Sequence, residues 1–239
     1  KYDGNQYHQY YCVDDSLGLP DNNITHIYRD SHNRLWVATV NGVCLYQANG
    51  NFKRVSINSA NKNIEKILED KEGRIFFFTM TDLYQYDENT NRAITRLSKM
   101  VEKNCYNYSC HIDRKDVMWI VTSYSVKGYR TQDLKLIAQS PVQSYPIASF
   151  LLDGHQLYIS GYNGMQLFDT DTRKWQQLPA ALQGLQIPND MVSGIHPYGE
   201  KGNLLLSTTK HGLLYFNAQE GTILPQSDKN FPFEVPDMQ

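Results

Sequence analysis

The sequence predicts an all-β protein, a β-propeller built of four-stranded antiparallel blades. Three observations carry that prediction. A set of features recurs five times at intervals of about forty residues, a period typical of blade-by-blade architectures. The central strand of each copy is apolar at consecutive positions. Between the apolar runs lie short polar turns of Asp, Asn, Ser and Gly, the residues that bend a chain most easily.

The central strands align as Leu35 to Thr39, Ile75 to Thr79, Met118 to Thr122, Leu157 to Gly161 and Leu204 to Thr208. Before each runs a β-branched or aromatic segment that ends near an acid in four copies, at Asp30, Asp70, Asp113 and Asp153. The fifth reads Ile195-His196-Pro197-Tyr198-Gly199 and lacks the acid. After each comes a third run: Val43 to Tyr46, Leu83 to Tyr86, Val126 to Tyr129, Met165 to Phe168 and Leu213 to Phe216. A weaker fourth run follows, as in Phe52 to Val55 and Lys174 to Leu178. Four such runs joined by tight turns make one small antiparallel sheet.

In Leu35-Trp36-Val37-Ala38, Leu35 and Val37 point to one face and Trp36 and Ala38 to the other. A strand apolar on both faces must be covered on both. Stacked blades provide that cover, each sandwiched by its neighbours. A twisted β-sandwich is the alternative, but it does not call for an internal repeat.

The reading divides residues 1–239 into blades at about 24–57, 64–97, 106–137, 147–178 and 191–226. Tyr7 to Tyr11 read as the outer strand of an adjoining blade, either the last blade of this chain, whose ring it would fasten, or a preceding one outside it, with residues up to 23 as connector. The tail after Pro225 is too rich in proline for a central strand. A closed five-bladed ring and a piece of a larger, seven-bladed ring both fit; the larger ring is preferred, because the fifth blade has its fourth run only in outline.

Charge and composition narrow the function. Lys plus Arg number 23 against 25 Asp plus Glu, with no basic run, which argues against nucleic acid. No stretch is long and apolar enough for a membrane helix. Lys1-Tyr2-Asp3-Gly4 has no apolar segment behind it, so the signal peptide of an exported protein would be cleaved or lie outside this chain. The four cysteines, Cys12, Cys44, Cys105 and Cys110, show no zinc spacing. Buried free thiols are preferred over a Cys105–Cys110 disulfide.

No catalytic or metal-binding residues are expected. There is no nucleophile elbow, the seven histidines show no H-x-x-x-H spacing, and the recurring aspartates sit where hairpins need backbone acceptors. No cofactor is implied. Binding remains, and in a propeller the loops between second and third strands open on one face. Six residues there are the candidate ligand contacts: Asn41, Tyr124, Tyr162, Asn163, Lys210 and His211. They differ from copy to copy. Tyr and His offer rings to stack on a sugar, and Asn and Lys offer donors to hydroxyl or anionic groups.

Gly18-Leu19-Pro20-Asp21-Asn22-Asn23-Ile24, then Asp30, Leu35-Trp36-Val37-Ala38-Thr39 and Gly42-Val43 through Tyr46 resemble the two-component regulator propeller repeat. That family's pattern is roughly G-L-P-S-N-x-V, a strand, D, G-x-L-W-I-G-T and G-L-x-x-Y. Later blades keep the order but lose the G-L-P start, and the second lacks the tryptophan. The resemblance implies the periplasmic sensor region of a Bacteroidetes hybrid two-component system. Such regions look like two seven-bladed propellers, a β-sandwich, a membrane helix and cytoplasmic kinase and regulator modules. It implies an oligosaccharide ligand, attached signalling modules as partners and no kinase, receiver or DNA-binding segment in this chain; no enzyme activity is expected of this segment, and a homodimer is a separate option. The rivals are a propeller lyase or glycosidase and a protein-interaction scaffold.

Overall fold

A computed structural model describes residues 4, 6–7, 9–12, 17–98, 107–161, 164–183, 185, 191–199 and 202–233. It is a β-propeller architecture of five blades, in agreement with the sequence. The chain divides into two compact units, residues 1–107 and 108–239.

The first unit holds two blades. Blade 1 is β1 (Ile24–Arg29), β2 (Leu35–Thr39), β3 (Gly42–Tyr46) and β4 (Phe52–Arg54), followed by the short β5 (Ser56–Ile57). Blade 2 is β6 (Lys66–Glu69), β7 (Ile75–Phe78), β8 (Leu83–Asp87) and β9 (Arg92–Leu97). β5 pairs in parallel with β9 through Ser56–Arg92 and Ile57–Ala93, so the linker leaving blade 1 adds a fifth strand to blade 2.

The second unit holds three. Blade 3 is β10 (Asn107–Ile112, starting on the boundary residue), β11 (Val117–Thr122), β12 (Ser125–Arg130) and β13 (Leu136–Pro141). Blade 4 is β14 (Pro146–Leu152), β15 (Gln156–Gly161), β16 (Gly164–Asp169) and β17 (Lys174–Gln176). Blade 5 is β18 (Val192–Pro197), β19 (Leu204–Thr208), β20 (Leu213–Asn217) and β21 (Thr222–Pro225). One helical turn, α1 (Ala180–Gln183), was not signalled by the repeat. The Pro179 carbonyl accepts the Leu182 and Gln183 amides, and Leu182 drops into the core.

Every blade is a meander in chain order, and the consecutive apolar residues do what was expected of them. Call the face of a blade turned to the next blade its trailing face, and the opposite one its leading face. Blade 1's trailing face presents Trp36, Ala38, Val43 and Leu45 to Ile67, Ile75, Phe77 and Tyr84 of blade 2. Trp36 sits 5.6 Å from the Phe77 ring and 4.9 Å from Tyr86. In the second unit, Trp119 and Val121 of blade 3 meet Leu157, Ile159 and Phe168 of blade 4. Tyr158 and Leu167 of blade 4 meet Ile195, Leu206 and Phe216 of blade 5. Gly128 lies under the Trp119 ring, where a Cβ would come within 2.8 Å of it.

The hairpin acids act as proposed in blades 1 to 3. Asp30, 5% exposed, accepts the Arg34 amide (2.8 Å), Arg34 Nε (2.6 Å) and Trp36 Nε1 (2.8 Å). Asp70 accepts the Arg74 amide and Nε, and Asp113 the Val117 amide and Trp119 Nε1. Asp153 departs from this role. Its hairpin is shorter, Leu152 pairing with Gln156, and Asp153 itself turns left-handed (φ 52) and outward. Cys44 and Cys110 are buried in strands, and burial pushes the Cys44 thiol up to about 12. Cys105, and with it the disulfide alternative, lies outside the described residues.

Candidate functional site

The turn between the second and third strands is built by a threonine that closes the second strand. Thr39 Oγ1 donates to the Gly42 carbonyl at 3.0 Å and accepts the Asn41 amide at 3.2 Å. Thr79 does the same with the Asp82 carbonyl and the Thr81 amide, and Thr122 with the Ser125 carbonyl and the Tyr124 amide. In blade 5, Thr208 bonds the Gly212 carbonyl and the His211 amide. The hydroxyl satisfies backbone groups that a tight turn would leave unpaired. The side chain on the turn is thereby left to point to solvent. Sequence reading quoted these threonines only as strand ends, although their recurrence was the visible signal for the turn.

In the first unit this places Asn41 exposed on the β2–β3 turn. It lies beside a small polar recess of about 250 Å³ that is also lined by Arg54, Ser56 and Lys62. In the second unit Tyr124, 53% exposed, crowns the β11–β12 turn, and Lys210 and His211 crown the β19–β20 turn. Tyr162 and Asn163, between β15 and β16, lie outside the described residues. The recess at Asn41 is smaller than the roughly 300–1,000 Å³ of a usual ligand site. It can take one group of a ligand, such as a hydroxyl-bearing ring edge.

Two further features escaped the sequence. On the inner strands of blades 3 and 4, His111 Nε2 lies 2.8 Å from Ser149 Oγ, and the same hydroxyl also meets Ser109 Oγ. A serine 2.8 Å from an imidazole matches nucleophile geometry. Here, however, the hydroxyl is shared with Ser109, and the three groups clamp β10 to β14. The other feature is a hollow of about 960 Å³ on the leading face of blade 1, lined by Ile27, Leu35, Val37, Tyr46 and Phe52 among others. Among the described residues no group of three or more His, Cys, Asp or Glu side chains is placed to hold a metal.

The G-L-P start of blade 1 also acquires a physical role. Arg54 Nε and Nη2 donate to the Gly18 and Leu19 carbonyls at 2.9 and 2.7 Å, and the Phe52 amide donates to Leu17 O at 2.8 Å. Pro20 lies over Gly42, 3.4 Å from where a Cβ would stand. The motif thus seals the outer edge and the β2–β3 turn of its own blade. Residues 18–41, which span this arrangement, match the family described as two component regulator propeller. The match runs from the segment before blade 1 to its β2–β3 turn.

No curated protein matches the chain. Solved structures share the propeller fold around that match. An extracellular domain of a hybrid two component system from B. thetaiotaomicron is 13% identical with a TM-score of 0.70 over 95% of this chain and 32% of its own. A second such domain from B. thetaiotaomicron is 14% identical with a TM-score of 0.68, over 92% of this chain and 29% of that one. Virginiamycin B lyase from Staphylococcus aureus is 13% identical with a TM-score of 0.68, over 92% of this chain and 73% of its own. The chain therefore spans under a third of either two component domain.

Proposed function

We propose that this chain is an extracytoplasmic, periplasmic sensing propeller of a hybrid two-component system, binding an oligosaccharide and passing that event to attached kinase modules. The observation that carries the reading is the two component regulator propeller match at residues 18–41. Fold likeness to extracellular domains of such systems supports it. No helix among the described residues is long and apolar enough to cross a membrane, so attached segments would carry the signal across.

Tyr124 offers an exposed ring to a sugar face, and Lys210 and His211 offer donors on a neighbouring kind of turn. Tyr162 and Asn163 complete the set in that unit, and Asn41 with its recess serves the first unit. Asn41, Tyr124, Lys210 and His211 each sit on a turn closed by a strand-end threonine, so a bound ligand meets a prepared surface. A ligand that binds one arrangement of the attached modules better shifts their population towards it. Catalysis is the weaker reading, because the serine–histidine pair is spent as a strand clamp. A second copy of the chain is a further partner in this proposal.

The test is thermal unfolding against a panel of oligosaccharides. One class should raise the midpoint, since binding to the folded state alone adds stability, about 2.7 kcal/mol at a hundredfold excess over Kd. Tyr124→Ala should shrink that rise severalfold and leave the unliganded midpoint in place, the ring being exposed. No rise with any sugar, for a cooperatively unfolding chain, would sink the oligosaccharide reading.

A further inference from the structure

The recess beside Asn41 is lined by one sign of charge. Arg54 and Lys62 contribute to it with Asn41 and Ser56, and no Asp or Glu is among its lining residues. A second hollow, of about 460 Å³, shares Ser56 and Ile57 with it; Arg92 lines that one, again without an acid. All of these residues belong to the first unit. The chain as a whole has a net charge of −2. Cations gathered around Ser56 and Ile57 with no carboxylate beside them are therefore a local feature and not a consequence of composition.

The walls of the recess are anchored. The Val55 amide donates to the Val43 carbonyl at 2.9 Å, the Ser56 amide to the Asn91 carbonyl at 3.1 Å and the Ile64 amide to the Thr39 carbonyl at 3.2 Å. The linker that carries Ser56 and Lys62 is thus tied to blade 1 on both sides of the β2–β3 turn. Arg54 Nε and Nη2 are held by the Gly18 and Leu19 carbonyls. Those acceptors are neutral, so these bonds aim the guanidinium without cancelling its charge. Lys62 is exposed and has no ion-pair partner among the described residues. Charge of one sign in a walled recess concentrates its field on whatever enters.

Such a recess calls for an acceptor that is itself charged. A neutral hydroxyl would answer the Asn41 amide and the Ser56 hydroxyl but not the Lys62 ammonium. A carboxylate or sulfate oxygen accepts from all of them, and charge-assisted bonds are roughly twice as strong as neutral ones. About 250 Å³ holds an oxyanion and little more, and the hollow beside it leaves room for the ring that bears it. We propose that this recess holds a negatively charged substituent of a sugar, a uronic carboxylate or a sulfate ester, which builds on the oligosaccharide reading above and narrows it to acidic sugars. Lys62 and Arg54 supply the charge, and Asn41 and Ser56 the further hydrogen bonds.

The test is calorimetric titration of the 239-residue chain with a panel of uronate-containing and sulfated disaccharides, each beside the neutral disaccharide of the same linkage. An acidic sugar should bind more tightly than its neutral counterpart, and its affinity should fall as NaCl is raised, because exposed charges are screened. The two acidic classes tell carboxylate from sulfate. Lys62→Gln should weaken the acidic sugar roughly three- to tenfold. Lys53→Gln removes the same charge from an exposed residue outside the recess and should leave the affinity unchanged. The melting temperature of the unliganded chain should not move in either variant, both side chains being exposed. Neutral sugars bound as tightly as acidic ones would overturn the proposal and leave the oligosaccharide reading standing. An affinity for Lys62→Gln no lower than for Lys53→Gln would do the same. Binding of no sugar in the panel would overturn both.

Discussion

Blades 1 and 5 have the same four strands and secure their first hairpins by opposite chemistry. Blade 1 buries a carboxylate, Asp30, under Trp36 Nε1 and Arg34 Nε. Blade 5 has Pro197 and Tyr198 in that stretch and no acid, and relies on Asn203, 3% exposed, at the end of the hairpin. Its amide oxygen accepts the Ala218 amide at 2.8 Å, and its Nδ2 donates to the Tyr215 hydroxyl at 2.8 Å. Asp30 fastens its own hairpin with a charge, whereas Asn203 ties the hairpin's end to the third strand and the turn after it without one. The repeat therefore constrains a hydrogen-bonding need, and the aspartate is one way of meeting it.

The comparison breaks first at Asp30. Asp30→Ala strands an indole N–H and a half-buried guanidinium, and removing one partner from a buried ion pair is costly. We expect a loss of about 3 kcal/mol in urea denaturation. Asn203→Ala strands neutral groups only and should cost roughly 1–2 kcal/mol. Equal losses would mean that the charge in blade 1 adds nothing beyond its hydrogen bonds.

Acid separates the two blades next. Burial opposes ionisation of Asp30, but the bonds from Trp36 and from the Arg34 amide and side chain, with the Arg34 charge, outweigh it and hold its pKa below the ordinary range. A carboxyl depressed in the folded state contributes stability above its unfolded pKa of about 3.9 and loses it as pH falls through the folded value. The stability gap between the wild type and Asp30→Asn should therefore be complete at neutral pH and close below that range. The deficit of Asn203→Ala, with no titrating group lost, should stay level across the same window. A gap at Asp30 that persists undiminished at the lowest pH would contradict the assignment.

These contrasts show how far the sequence could be read. Trp36 beside Val37 was enough to require cover on both faces, and the cover is there on the trailing side. The aspartates of blades 1 to 3 were legible because each is followed by a hairpin of the same length. Asp153 looked the same but sits in a shorter turn, and a loop-length change re-aims a side chain without changing its identity. The turn threonines were in plain view as Thr39, Thr79, Thr122 and Thr208, yet threonine also favours strands, so composition hid their role. The exposure of Ile27, 60% against 1% for Ile67, could not be read at all. Its sequence environment is that of a buried position, and only the surroundings of the folded blade distinguish it from Ile67. Of the six candidate contacts, Asn41, Tyr124, Lys210 and His211 stand exposed on such turns.

The smallest expected effect concerns the last residue of the third turn, where blades 4 and 5 differ. Blade 5 has Gly221 there at φ 63, blade 4 has Arg173 at φ 58, and blade 2 has Asn91 at φ 54. Left-handed backbone costs an ordinary L-residue roughly 1–2 kcal/mol, and Asn, whose side chain bonds locally, pays less. Arg173→Asn should therefore relieve strain, offset by loss of the exposed bond from Arg173 Nη1 to the Ile137 carbonyl at 3.2 Å. The net expectation is a gain of about 0.5 kcal/mol, visible as a slightly higher urea midpoint at unchanged slope. A loss instead would show that Arg173 holds blade 4 to blade 3 through that bond, and that in this blade the side chain outweighs the backbone.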